Sequence, residues 1–574
     1  MEKLKSKISR LPFNAIYLLI AFLFLSYWAY YFGGMGNSDA RGFVQDDTYI
    51  SLRYARNLIE GQGLVMNPGQ KVEGYTNFLW TMIMALALKW TDDAVSFMRG
   101  LGFALSLATA LLLFLTAKKM LPPNRWARGW STVLFATSPI VGLWTTSGME
   151  TPLMTFWVAS LLFIHAHETA LPSDKNQARK NWGLCCGLIL ALAELTRPEG
   201  KALFLVLSAC QLFPFSKEKF WKNVFLKNAA GAFFLLVIPY HLWRLIYFGE
   251  FVPNTYYVKG VHSLFAYERG FEMLKEFFSK PTHISIALFA LGNFFSKTRV
   301  QPLFLPLGVA AFYGLYYIKI GGDEFYLYRQ LMPFLPAFVL LGEAGVSRWM
   351  GSIREWVASK HLQRLLTFGL VGLVAYMAQS GFFFGRKQSQ YCTVLETLEV
   401  AHGAVGRFIA ERSKVGDKVI TQDMGILPWN APQQTFIDVM GLTDSIIAKR
   451  KAALGYSVYT RQLMEREESM GKKINVMYHE LREYLFSQNA KWVVATTYFN
   501  SEEEVAIAQE SMHRRDTAYF VRNFRESHFY FKLASDPRFD QRYVPIGLWK
   551  YSTTLYLVLF VERAALPTLQ IPES

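Results

Sequence analysis

Long apolar runs separated by short polar stretches fill the first two-thirds of the chain. Each run is about 15–22 residues, the length that crosses a ~30 Å hydrocarbon layer as a helix. The pattern predicts spans near 12–33, 95–117, 129–145, 148–168, 183–197, 200–215, 228–248, 282–297, 300–320, 331–348 and 364–384. The stretch "NFLWTMIMALALKW" (77–90) is marginal in length, and reading it as a span inverts the sidedness of everything after it; it is read as an interfacial or re-entrant helix. After Gly385 the pattern changes. Runs such as "DKVITQ", "QTFIDVM", "KWVVATT", "FYFKLA" and "TLYLVLFVE" read as strands, and 393–413 and 460–488 as helices. The expectation is a polytopic α-helical membrane protein with about 11–13 transmembrane helices and a C-terminal soluble α/β domain. Residues 1–385 would form the membrane domain, with a first external loop at 34–80, and 386–574 an extracytoplasmic domain.

Charge adds sidedness. Lys and Arg number 60 against 44 acidic residues in 574, a formal net charge of +16. The cations gather in the leader "MEKLKSKISR" and in short loops between apolar runs, as cytoplasmic loops do. The leader precedes a long aromatic run, which reads as an uncleaved anchor. No basic helix or aromatic-basic platform is present, which argues against a nucleic-acid partner. Cys185, Cys186, Cys210 and Cys392 have no metal-binding spacing and give no disulfide framework.

With the basic loops inside, the outer loops hold most of the candidate chemistry. "QDDTYISLRYARN" pairs Asp46 and Asp47 at the start of an amphipathic helix. One aspartate suits the N-cap; two adjacent carboxylates suit a base and a group that orients it, or a hard cation such as magnesium, manganese or calcium. Arg53 and Arg56 share a helix face, fit for a phosphate or for lipid headgroups. "EGYTN" offers Glu73, Tyr75 and Asn77, and "TSGMETP" offers Glu150 at a helix start. "ELTRPEG" places Glu194, Arg197 and Glu199 at a helix end, where they suit either a site or a structural ion pair. "PNTYYVKG" brings Asn254, Tyr256, Tyr257 and Lys259, groups suited to a sugar and a phosphate. "GGDEFYLYRQLMPFLP" brings Asp323, Glu324, Tyr328 and Arg329, the arginine opening a span where a lipid phosphate would lie. Ionisable groups gathered at one membrane face point to a site.

These motifs, above all "DDTYISLRYARNLIEGQGLV" with "EGYTNFLW", "SGMETPL", "RPEG", "NTYY", "YRQLMPFLP" and "QDMGILPW…FIDVMGLTD", resemble the terminal arabinofuranosyltransferases of actinobacteria and their bacterial relatives. That family belongs to the GT-C superfamily of membrane glycosyltransferases. The resemblance implies inverting transfer of a sugar, a pentofuranose such as arabinofuranose being the family's best-known one. The donor would be a polyprenyl phosphate, and the acceptor a cell-envelope glycan or lipid at the outer face of a bacterial inner membrane. It maps the base to Asp46 with Asp47 as its partner. Arg329, Lys259, Arg197 and Arg56 become candidates for the donor phosphate. Glu73, Tyr75, Asn77, Glu150, Asn254, Tyr256, Tyr257 and Asp323 become candidates for sugar or acceptor. A transporter or flippase of a lipid-linked sugar is the alternative; it would place its ionisable residues at mid-membrane.

Overall fold

A computed structural model describes residues 13–32, 44–121, 129–172, 174–212, 222–259, 264–295, 301–323, 327–357, scattered positions within 359–379, and 390–454, 468–499, 501–523, 533–534, 536–550 and 555–569. The leader, Glu324, parts of the basic loops used for sidedness, and the first four residues of "FYFKLA" lie outside them.

Helices joined by irregular loops make up the N-terminal part. Among the described residues four helices are long and apolar enough to cross a membrane: Ala15–Phe32, Ala94–Met120, Val224–Phe248 and Arg329–Gly351. The Val224–Phe248 helix exposes Leu235, Ile238, Leu242 and Ile246, an apolar face suited to lipid. The 129–145 run is not one helix. It divides into Trp130–Thr137 and Pro139–Thr145, because Pro139 lacks the N–H that would continue the ladder and starts a new first turn instead. Phe78–Leu88 has 11 residues, about 16 Å of rise, too short to cross alone.

Small residues bring these helices together. A Cβ on Gly187 would lie 2.2 Å from Ala229 O, and one on Gly345 only 1.8 Å from Phe289 O, so both contacts require glycine. Glu343, buried within the Leu335–Trp356 helix, accepts hydrogen bonds from Gly129 N (2.6 Å) and Ser131 N (2.9 Å). A carboxylate inside a membrane-length helix thereby satisfies the open N-terminus of the Trp130–Thr137 helix.

The C-terminal part holds a five-stranded sheet in the order β2-β1-β3-β5-β4. The strands are β1 (Lys418–Thr421), β2 (Thr435–Asp438), β3 (Trp492–Tyr498), β4 (Tyr543–Lys550) and β5 (Leu555–Glu562). The first three are parallel; β5 runs antiparallel to both β3 and β4. Four of these strands match the expected runs. β4 was not anticipated, since Pro545 and Gly547 break its pattern at the bulge they form. Leu533 and Ala534, expected in a strand, are helical.

Alternate strand residues enter two cores. Val493, Ala495, Val558 and Phe560 pack on one face with the Glu468–Ser487 helix. Trp492, Val494, Leu557 and Leu559 pack on the other with the Gln390–Glu411 helix, and that cluster continues into Ile50, Tyr54, Leu64, Met66, Tyr75 and Phe248. One apolar core thus joins the first loop to the C-terminal sheet.

Candidate active site

Asp46 and Asp47 open the Asp46–Ile59 helix, but neither is its N-cap. Gln45 holds that position, without a side-chain cap. The Asp46 carboxylate turns away to the C-terminal part. Its Oδ2 accepts from Gly425 N at 3.1 Å and its Oδ1 from Ile426 N at 2.8 Å. Asp46 therefore satisfies the start of a different helix, Ile426–Asn430. A Cβ at position 425 would lie 2.1 Å from Asp46 O and 2.6 Å from Oδ1, so only glycine allows this approach. Burial pushes the Asp46 carboxyl up to about 6. His402 draws it down, Asp423 pushes it up, the Ile426 amide draws it down and Asp47 pushes it up, in decreasing order. Asp47 is half-buried, and no hydrogen bond or ion pair engages it among the described residues.

The rest of this helix also faces the C-terminal part. Tyr49 OH donates to Glu399 at 2.8 Å. Arg53, almost fully buried, donates to the carbonyls of Met66, Pro428, Ala431, Pro432 and Gln434. Arg56 lies 3.2 Å from the centroid of the Trp429 ring and donates to Trp429 O. Arg53 and Arg56, expected to suit a phosphate or lipid headgroups, thus have their guanidinium groups engaged by tertiary contacts. Asn67 pairs with the backbone of Phe436 in both directions, at 2.8 and 2.9 Å.

A second set of expected residues meets inside the helical part. Ser51 donates to Asn77 Oδ1 (3.1 Å), and Asn77 Nδ2 to Glu150 Oε2 (3.1 Å). Arg197 then bridges Glu150 (2.8 Å), Glu199 (2.5 Å) and Gln330. Gln330 N donates to Asp323 Oδ2 at 2.7 Å. Residues as far apart as Ser51 and Gln330, 279 positions, thus form one hydrogen-bonded chain, starting on the helix that carries Asp46. Arg197 has its charge matched by two carboxylates, which weakens its case as a phosphate ligand. Arg329 is buried next to this chain, with one N–H directed at the Met149 sulfur (3.2 Å) and its guanidinium 5.9 Å from the Trp144 ring centroid.

Leu327 and Tyr328 precede Arg329 with left-handed backbones (φ 53° and 49°), a conformation that costs roughly 1–3 kcal/mol per residue. They line a cavity of about 410 Å³ whose wall also includes Leu134, Ile140, Ile286 and Val339. The strained turn therefore stands between an apolar cavity and the polar chain.

Other expected residues lie elsewhere. Glu73 pairs with Arg244 at 2.9 Å, a partner that the sequence reading missed. Tyr75 is buried edge-on against Tyr54 and so offers no exposed ring for a sugar. Asn254 donates to Gly441 O (2.7 Å) and Leu442 O (3.0 Å), docking the C-terminal part. Tyr257 binds Glu250, while Tyr256 and Lys259 are exposed. Among the described residues no three His, Cys, Asp or Glu side chains converge as metal ligands. Asp423 and Gln330 belonged to quoted motifs and could have been singled out; nothing in the pattern around His402 marked it.

Residues 387–533 match a family described only as a domain of unknown function (DUF8728). The chain is 26% identical over 351 residues to the terminal β-(1→2)-arabinofuranosyltransferase of Mycobacterium tuberculosis, covering 53% of this chain and 52% of that protein. It is 27% identical over 342 residues to the Corynebacterium glutamicum enzyme of the same name, covering 52% and 47%. The chain thus spans about half the length of the curated relatives it matches. Its fold is similar to that of ArnT from Cupriavidus metallidurans bound to undecaprenyl phosphate (TM-score 0.52, 12% identity, 95% of this chain and 97% of that one). It is also similar to the Archaeoglobus fulgidus oligosaccharyltransferase tethered to an acceptor peptide (TM-score 0.56, 12% identity, 95% and 74%). The resemblance to terminal arabinofuranosyltransferases read from the motifs is borne out, and the chain shares the fold of these two solved structures.

Proposed function

We propose that the protein is an inverting glycosyltransferase that moves a sugar from a polyprenyl phosphate to a hydroxyl of a cell-envelope glycan or lipid. A pentofuranose is the favoured donor sugar, because the curated relatives are arabinofuranosyltransferases. In this reading the reaction takes place at the outer face of a bacterial inner membrane, with the C-terminal part on that face, a sidedness that the basic loops support. The observation that carries the reading is the chain Ser51–Asn77–Glu150–Arg197–Gln330, which links the Asp46 helix to Arg329 beside an apolar cavity.

In this reading the isoprenoid tail lies in the cavity and the phosphate at Arg329. The acceptor oxygen attacks the anomeric carbon as its proton passes to the Asp46 carboxylate. The anomeric C–O bond breaks, and polyprenyl phosphate leaves with the bonding pair. Attack opposite the leaving group inverts the anomeric centre. Arg329 stabilises the charge that accumulates on the phosphate. An Asp carboxylate accepting two amides still has lone pairs for a proton. The named relatives are transferases, which disfavours the flippase alternative. The test is a membrane assay with radiolabelled polyprenyl-phosphate sugars: transfer of label to envelope glycan or lipid supports the reading. Label that crosses the bilayer still attached to polyprenyl phosphate would replace it with the flippase.

A further inference from the structure

The family matched at 387–533 has no described function, and the structure places part of that segment on the Asp46 carboxylate. Gly425 and Ile426, in the loop that leaves the carboxyl end of β1, donate both amides to it. Carboxyl ends of parallel strands are where open α/β sheets bind their ligands; here that edge holds a side chain from another part of the molecule. Gly425 sits so close that any side chain would collide with Asp46. On the same edge, His402 of the Gln390–Glu411 helix is buried and stands 3.1 Å from Asp423 Oδ2. The charged and titratable groups around Asp46 are therefore Asp47 on its own helix, His402 and Glu399 on the Gln390–Glu411 helix, and Asp423 on the β1 loop. Glu399 is held by Tyr49.

We infer that the C-terminal unit is a working part of the catalytic centre: the Gly425–Ile426 amides orient the Asp46 carboxylate, and His402, 3.1 Å from Asp423 on the same edge, acts as a positioning residue for it. This rests on the glycosyl-transfer reading for its catalytic consequence, though not for the clamp itself. His402 is the largest of the charged influences on the Asp46 carboxyl and acts against burial. The unit would thus set both the direction and the charge of a base that the first loop supplies. Its role is separate from any contact with donor or acceptor.

Two measurements on the full-length protein in lipid nanodiscs test this without substrate. Hydrogen exchange should show Gly425 and Ile426 protected in the wild type and released in both Gly425→Ala and Asp46→Ala; unchanged protection in either variant overturns the clamp. Infrared difference titration of wild type against Asp46→Ala reads the carboxyl directly. In His402→Gln, which keeps a donor for Asp423, the Asp46 titration should move upward; an unmoved titration overturns the role of His402. The catalytic link is read with radiolabelled polyprenyl-phosphoryl arabinofuranose. The acid limb of kcat/KM should move upward together with the carboxyl titration in His402→Gln. A limb that stays in place while the carboxyl titration moves removes Asp46 from the proton transfer. A wild type that uses no offered donor refutes the transfer reading, and the two substrate-free results still decide the clamp and the charge.

Discussion

Asp46 accepts two amides on two separate oxygens, and this changes what an asparagine would do there. Asn keeps one acceptor and presents an NH₂ group to the other amide, so Asp46→Asn should lose docking as well as basicity. We expect turnover to fall by ~10²–10⁴-fold, the usual loss for a general base, together with a lower melting temperature. Asp47→Asn, at a carboxylate without a hydrogen-bond partner, should leave thermal stability unchanged and cost less in rate. Equal loss of turnover in both variants would shift the base assignment toward Asp47. The pH dependence has a definite sign. The base acts ionised and burial holds Asp46 up to about 6, so kcat/KM should fall as pH drops through about 6. An acid limb near 4, where an unperturbed aspartate titrates, would point to a more exposed carboxylate. For the phosphate, Arg329→Ala should raise donor KM far more than Arg329→Lys, because lysine keeps the charge and loses the fork. Unaltered donor kinetics in the alanine variant would take Arg329 out of the site.

At the scale of elements, the apolar runs and the strand pattern were legible because period and length follow directly from the geometry of helix and sheet. The break at Pro139 was equally readable in principle. β4 was hidden by Pro545 and Gly547, whose bulge interrupts the alternation. Glu343 shows why side-chain roles are harder to read than elements. Alone in an apolar run it looks functional, and its partners are backbone amides more than 200 residues away. Replacing it by glutamine sets an NH₂ group against those amides. Glu343→Gln should therefore cost roughly 1–3 kcal/mol of stability, seen as earlier thermal unfolding in detergent, with donor KM unchanged. A shifted KM would give Glu343 a part in donor binding that the geometry does not.

Across the whole molecule, the first loop and the C-terminal sheet share one core and a dense set of polar contacts. A chain ending at residue 385 would expose Ile50, Tyr54, Leu64 and Met66 and leave Arg53 without its C-terminal carbonyls. We expect such a chain to aggregate on extraction, and a monodisperse, stable product would refute the shared core. The convergence of motifs on one site was partly legible, since the expected residues Asn77, Glu150, Arg197 and Asp323 do join in one chain. Tyr75, Arg53 and Arg56 went to packing and docking instead. No residue-level pattern distinguishes an arginine that binds a ligand from one that binds backbone carbonyls, because the donors are the same and only the long-range contacts decide.

The separation of those contacts has a consequence in time. Asp46 waits for an amide 379 positions later, and Asn67 for a strand 369 positions later. At a synthesis rate of roughly 5–20 residues per second, the first loop remains without its partners for roughly 20–75 s after it is made. During that interval its buried arginine and apolar side chains stand open to chaperones and proteases. The clamp on Asp46 cannot form until Gly425 and Ile426 have been translated.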